Sequence, residues 1–221
     1  MVGKAEEKIV FLKSRIREMC DKSIEMVSII TNAIRNNLRG NLDRIYSLER
    51  LTNQLQLDID EECIALISDK FQDMKNLRFV VSIMKTTAEL ERIGDQVVNL
   101  YDHFSRIQLA GLKDKNAIDN LVSMGEETIR MIESANRSLL EGEEKEAEWV
   151  LSHDDIIDNM KKQFYIYSTS MMMEKPDQVR GYLDIILMAS NFERIGDLAT
   201  NIAENAIYSI RGKDIRHSSN Y

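Results

Sequence analysis

The sequence predicts an all-α protein made of two tandem three-helix bundles. Three observations carry that expectation. Apolar residues recur at spacings of three and four almost throughout the chain, which is the period of an amphipathic helix. Only one proline and nine glycines occur in 221 residues, too few breakers for a turn-rich β fold. The string Glu-Arg-Ile-Gly-Asp appears twice, at Glu91–Asp95 and again at Glu193–Asp197, within a longer register of matched positions.

The first helix is expected from about Lys4 to Leu38, with Asn36, Asn37 and Gly40 marking its end, because Asn and Gly are common at helix C-termini. A second helix runs from about Leu42 to Ser68. The polar stretch Asp69 to Lys75 turns the chain into a third, from about Asn76 to Ile107. Gly111 to Asn116, polar and near mid-sequence, is the expected boundary between a first unit, residues 1–110, and a second, residues 111–221. A fourth helix spans about Ala117 to Leu140 and stops near Gly142, and a fifth spans about Glu143 to Met173. Pro176 opens the sixth, where a missing backbone N–H costs nothing, and Gly212 ends it. Lys213 to Tyr221 reads as a loose polar tail. Long helices joined by short links pack as antiparallel bundles.

Composition narrows the function. The net charge is −8, so nucleic acid and anionic lipid are disfavoured partners. No apolar run approaches the roughly 18 residues of a membrane span, and Met1 to Lys8 lacks a signal-peptide pattern. Cys20 and Cys63 make no disulfide framework and read as buried free thiols of a cytoplasmic protein.

The repeat carries the chemistry. Residues four apart share a helix face, so Glu91, Asp95, Asn99 and Asp102 form one oxygen-bearing stripe. Glu193, Asp197, Asn201 and Glu204 form its counterpart. The core stripe of the third helix, through Val80, Ile83, Thr87, Leu90, Gly94 and Val98, runs alongside. Glu49 and Asn53 on the second helix, matched by Asp154 and Asp158 on the fifth, would complete a cluster in each bundle. Like charges one turn apart cost a few tenths of a kcal/mol per pair, and Gly94 and Gly196 cost about 1 kcal/mol each relative to Ala. A bound cation would offset the first cost, and close approach of a neighbouring helix would explain the second. All-oxygen donors suit hard cations such as Mg²⁺, Ca²⁺, Mn²⁺ or iron. A salt-bridged face, using Arg92, Arg194, Arg78 or Arg180, accounts for the stripe equally well.

The remaining residues suggest little chemistry. His103, His153 and His217 lack metal-ligand spacing and read as surface residues, with His153 the one worth testing as a ligand. Met171, Met172 and Met173 read as gap-filling core or inter-bundle contacts, and Trp149 as a core or interface residue. No phosphate loop, nucleophile elbow or Cys-x-x-Cys pair is present, so no enzyme is expected.

At the doubled motif the sequence resembles the PhoU family. The resemblance extends through Lys85–Asp95, Phe192–Glu204, Asn76-Leu77-Arg78 and Gly212–His217, and covers nearly the whole chain. It implies two three-helix bundles with pseudo-twofold symmetry. It also implies a cytoplasmic, often dimeric regulator, peripheral to the membrane through its partners, that damps phosphate uptake and phosphate-starvation signalling. The implied partners are the ATPase subunit of a phosphate ABC transporter and a sensor histidine kinase. The resemblance further implies iron or divalent cations (Fe, Mn, Mg or Zn) on Glu91, Asp95 and Asn99 and on Glu193, Asp197 and Asn201. Glu49, Asn53, Asp154 and Asp158 would contribute from the adjacent helices. Because the fifth helix has Asp158 where the second has Asn53, the second cluster is the stronger metal candidate by this reading. A metal-handling or metal-dependent protein using the same clusters is the alternative.

Overall fold

The computed structural model describes residues 2–38, 43–68 and 73–213, with side chains from Glu6 onward. Six long helices account for nearly all of them: α1 (Val2–Asn36), α2 (Asp43–Ser68), α3 (Met74–Ala110), α4 (Lys115–Glu141), α5 (Glu144–Glu174) and α6 (Val179–Arg211). The order matches the expectation. Gly40, the Asp69–Gln72 part of the first turn and the tail from Asp214, including His217, lie outside the described residues.

Boundaries follow local chemistry. Asp73 caps α3 by accepting the Lys75 N–H at 2.9 Å, and Asp114 caps α4 by accepting the Ala117 N–H at 3.0 Å. Gly142 and Gly212 take left-handed backbone at φ 77° and 69°, where a Cβ would be strained, and their N–H groups close the last turns of α4 and α6. Pro176 corrects the expected start of the sixth helix. It opens a separate 3₁₀ turn, Pro176–Gln178, and α6 begins only at Val179.

The two bundles do not sit end to end. The most extensive helix contact is α3 against α6, and α1 lies on α4, so each helix of this pair meets its counterpart in the other repeat. That pairing is what a twofold axis between the bundles produces. The result is an inner layer of α1, α3, α4 and α6, with α2 packed on α1 and α3 and α5 packed on α4 and α6. α3 and α6 are consequently buried on more than one face. Val80, Ile83 and Leu90 of α3 are covered, but so are Ser82, Thr86 and Ile93. α6 is covered along Ile185, Met188, Phe192, Ile195, Ile202 and Ala206. Each fully buried aliphatic or aromatic side chain contributes about 1.5–3 kcal/mol, so this shared layer holds the two repeats as one core.

Gly94 and Gly196 are not points of closest approach. A Cβ at Gly94 would lie 3.5 Å from Thr52 Oγ1, and one at Gly196 would lie 3.5 Å from Ile157 Cγ2, both ordinary contacts. The close approach is at Gly125 on α4. A Cβ there would overlap the Thr31 hydroxyl of α1 and stand 2.9 Å from its methyl and 3.2 Å from the Phe192 ring. No described helix is long and apolar enough to cross a membrane.

Candidate functional site

In the first bundle, Glu49 and Asn53 lie one turn apart on α2, with Asn53 Nδ2 donating to Glu49 Oε1 at 2.6 Å. The Asn53 Oδ1 is buried with no hydrogen-bond partner. Across the helix pair, the Glu91 carboxyl is pushed above its ordinary range by burial first and then by Asp95, with Glu49 adding and Arg92 opposing. Glu49, Glu91 and Asp95 therefore share one electrostatic neighbourhood. Asn99 is exposed, and Asp102, further along the same face, acts on Tyr46, which packs edge-on against Tyr101 at 5.7 Å.

In the second bundle, Asp154 and Asp158 of α5 face Glu193 and Asp197 of α6. Partial burial, then Glu193, Asp154 and Asp158, push the Asp197 carboxyl up to about 6, with Lys161 opposing. Asp154 is raised as well, by burial and then by Asp158, Asp155 and Glu193. The Lys161 ammonium donates to Glu193 Oε1 at 2.8 Å, and Lys162 Nζ stands 3.6 Å from Asp158 Oδ2. Asn201 is not in this group. Its Nδ2 donates to Glu89 Oε2 of α3 at 3.4 Å, inside a crevice of about 360 Å³ between α3 and α6 lined by Lys85, Arg92 and Asn205.

The two clusters differ in how they suit a cation. Among the described residues, no three His, Cys, Asp or Glu side chains converge so as to share one ion. The first cluster offers hard oxygen donors and one buried oxygen, Asn53 Oδ1, that lacks a partner. In the second, an ammonium group already sits on Glu193. The arginines do not supply the salt-bridged face. Arg92 is paired with Glu89 at 3.5 Å, Arg194 and Arg180 are exposed, and the Arg78 guanidinium lies against Gly212.

Several single residues read differently in place. His103 is not a surface residue: its Nδ1 is 2.8 Å from Asp184 Oδ1, a carboxylate that Arg106 Nε also reaches at 2.9 Å. Asp184, only 8% exposed, was missed by sequence reasoning, although an acid between Leu183 and Ile185 in an apolar helix was a visible signal. Asp114 was also missed. Its Oδ2 accepts the hydroxyls of Tyr167 at 2.7 Å and Tyr182 at 2.9 Å. His153 is committed to its own helix, with Nδ1 donating to the Trp149 carbonyl at 2.8 Å and its ring stacked on the half-buried indole. Met171 and Met172 pack on the core, while Met173 is exposed. Cys20 and Cys63 are buried free thiols, each pushed well above its usual range, chiefly by burial.

Six helices in two paired bundles, each with an acidic cluster at the same repeat position, define a duplicated helical domain. The PhoU domain profile matches residues 16–103 and again residues 121–206, and the chain belongs to the PhoU family. It is 28% identical over 193 residues to a Pseudomonas aeruginosa phosphate-specific transport system accessory protein PhoU homolog, covering 87% of this chain and 79% of that one. It is 26% identical over 217 residues to the Escherichia coli phosphate-specific transport system accessory protein PhoU, covering 97% and 88%. The crystal structure of Pseudomonas aeruginosa PhoU superposes with a TM-score of 0.88 at 26% identity, over 94% of this chain and 99% of that one. A Streptococcus pneumoniae PhoU structure shares the fold, with a TM-score of 0.65 at 21% identity over 96% of each chain.

Proposed function

We propose that the chain is a non-enzymatic negative regulator of phosphate uptake and of phosphate-starvation signalling. It would work in the cytoplasm as a homodimer, docking on the ATPase subunit of a phosphate ABC transporter and on a sensor histidine kinase. The observation that carries this reading is the PhoU domain repeated across the six helices, shared with relatives named as phosphate-specific transport system accessory proteins. The outer helices suit docking, because they keep large apolar side chains in water: Leu57 and Ile64 on α2, and Tyr165 and Ile166 on α5. The test is affinity capture from native membranes, with phosphate-regulated gene expression measured in a deletion strain under excess phosphate. Capture of transporter or kinase and derepressed genes are expected. Capture of neither, with unchanged expression, would sink the reading.

A second reading is a metal-handling protein, and it is favoured by the unpartnered, buried Asn53 Oδ1 beside Glu49. Glu49, Asn53, Glu91, Asp95 and Asn99, with Asp154, Asp158, Glu193, Asp197 and Asn201 in the second bundle, are the donors it would draw on for Fe, Mn, Mg or Zn. Elemental analysis of the purified chain, before and after incubation with these metals, decides it.

A further inference from the structure

We infer that Lys161 is the resident cation of the second acidic cluster, and that its ammonium group closes that cluster to a metal ion. The inference rests on the reading that the acidic motif is where this fold takes cations, and it makes the two copies inequivalent. The duplication supplies the comparison. In the register that matches Glu49 to Asp154 and Asn53 to Asp158, the first copy has Gln56 and Leu57 where the second has Lys161 and Lys162. The second copy has a further carboxylate at Asp158, but it also has two ammonium groups within the next turn.

Placement agrees with this substitution. Lys161 Nζ is 2.8 Å from Glu193 Oε1; the Glu193 side chain is 15% exposed and that of Lys161 38%, so the ammonium reaches from the rim into the groove between α5 and α6. Lys162 stands near Asp158 from the solvent side. A divalent ion entering between Glu193 and Asp197 would have to displace the Lys161 ammonium or share the space with it at repulsive distance. The fifth donor of the expected set, Asn201, is turned to Glu89 on the far side of α6. The first cluster has no lysine at either matched position, and its Asn53 Oδ1 is left without a partner. The more acidic cluster by composition is thus the one that already carries an ammonium group.

The test uses the full chain, stripped of metal and titrated with Mn²⁺. Glu91→Gln with Asp95→Asn removes the first cluster and isolates the second. This background is expected to bind Mn²⁺ only weakly. Adding Lys161→Gln, or Lys161→Met as an uncharged alternative if the glutamine variant folds poorly, is expected to tighten Mn²⁺ binding by about tenfold or more, the effect of removing one nearby unit charge. Asp197→Asn should then abolish that binding. Lys161→Arg, which keeps the charge, should remain closed. Equal Mn²⁺ affinity with and without the Lys161 substitution, whether both bind or neither does, overturns the inference. Failure of the unaltered chain to bind Mn²⁺ at its first cluster, with gain in the Lys161→Gln background, would remove the metal-handling reading and leave this one standing. Capture of membrane partners is independent of both outcomes.

Discussion

Tyr182 donates its hydroxyl to Asp114 Oδ2 at 2.9 Å, so α6 is tied to the residue that starts α4. Tyr167 of α5 donates to the same oxygen at 2.7 Å, while Asp114 Oδ1 accepts the Ala117 N–H. One carboxylate therefore joins all three helices of the second bundle at the chain's crossing from the first. Replacing Asp114 with Ala removes a helix cap and leaves two tyrosine hydroxyls without their acceptor. The expected loss is about 2–4 kcal/mol, read by urea denaturation, with Tyr182→Phe alone costing about 1 kcal/mol.

Burial would raise the Asp114 carboxyl, but the Ala117 N–H and the Tyr167 and Tyr182 hydroxyls, helped by Lys175, outweigh it and hold the group below its ordinary value of 3.8. The unfolded chain then binds this proton more readily than the folded one, so stability rises with pH in the acid range. The contribution is present above pH 3.8 and is lost as pH falls through the lower folded value. Asp114→Asn should flatten the acid limb of a plot of Tm against pH. An unchanged limb in a folded variant would show that the carboxylate is not held this way.

At the α3–α6 interface, Asp184 is held by His103 and Arg106. The positions related to these three by the repeat are Ser82, Asn205 and Tyr208, so the same end of the other repeat has no such ion pair. Asp184→Ala leaves His103, with a side chain 15% exposed, facing an empty position. A loss of about 1–3 kcal/mol is expected, with Arg106 recovering part of its hydration because it is half exposed. A double-mutant cycle of Asp184→Ala with His103→Ala should give a coupling of about 0.5–3 kcal/mol. Additive effects would contradict a direct pair.

The helices and the repeat were legible because both are written in local spacing. Apolar residues at three and four give each helix, and identical five-residue strings give the register that brings Glu49 toward Glu91 and Asp154 toward Glu193. The side-by-side layer was not legible. The covered faces of α3 and α6 include Ser82, Thr86, Asn191 and Asp184, polar residues that a single-face reading assigns to solvent, and Asn191 and Asp184 pair across the two helices with Gln96 and His103. Asn201 turns away from the Glu193 stripe for a geometric reason. Four residues advance a helix by about 400°, so a stripe of i, i+4 and i+8 winds about 80° around the axis. That rotation carries Asn201 from the Glu193 face to Glu89 of α3. Lys161 was visible three residues after Asp158, but only the packing of α5 on α6 shows that it reaches Glu193.

The glycines give an opposed pair of outcomes. At Gly94 and Gly196 a methyl group meets only ordinary contacts, and both sit in helix interiors with right-handed backbone. Gly94→Ala and Gly196→Ala should each stabilise the fold by about 0.5–1 kcal/mol through helix propensity. Gly125→Ala should destabilise it, because the Thr31 side chain of α1 has to move from the α1–α4 contact. A loss of about 1–3 kcal/mol is expected, and adding Thr31→Ala, which removes both the hydroxyl and the methyl group that the new Cβ would meet, should recover part of it. Thermal unfolding of the four variants separates a glycine kept for packing from two that packing does not require.

Asp197 yields the pH dependence opposite to that of Asp114. In metal-free protein its carboxyl is pushed up to about 6, so the folded chain binds that proton more tightly than the unfolded one. Stability from this group is then greatest below pH 3.8 and falls as pH rises toward 6, because the carboxylate forms beside Glu193, Asp154 and Asp158. Asp197→Asn removes the charge but keeps the shape. It should raise Tm at pH 7, leave Tm at pH 4 nearly unchanged, and reduce the decline between them. Lys161→Gln should act in the reverse direction, lowering Tm at pH 7 because the carboxylates lose the ammonium group that opposes their repulsion. The combined variant should lie above Lys161→Gln alone, since the cation matters most while Asp197 is charged. Equal Tm shifts for Asp197→Asn at pH 4 and pH 7 would mean that its effect is not electrostatic.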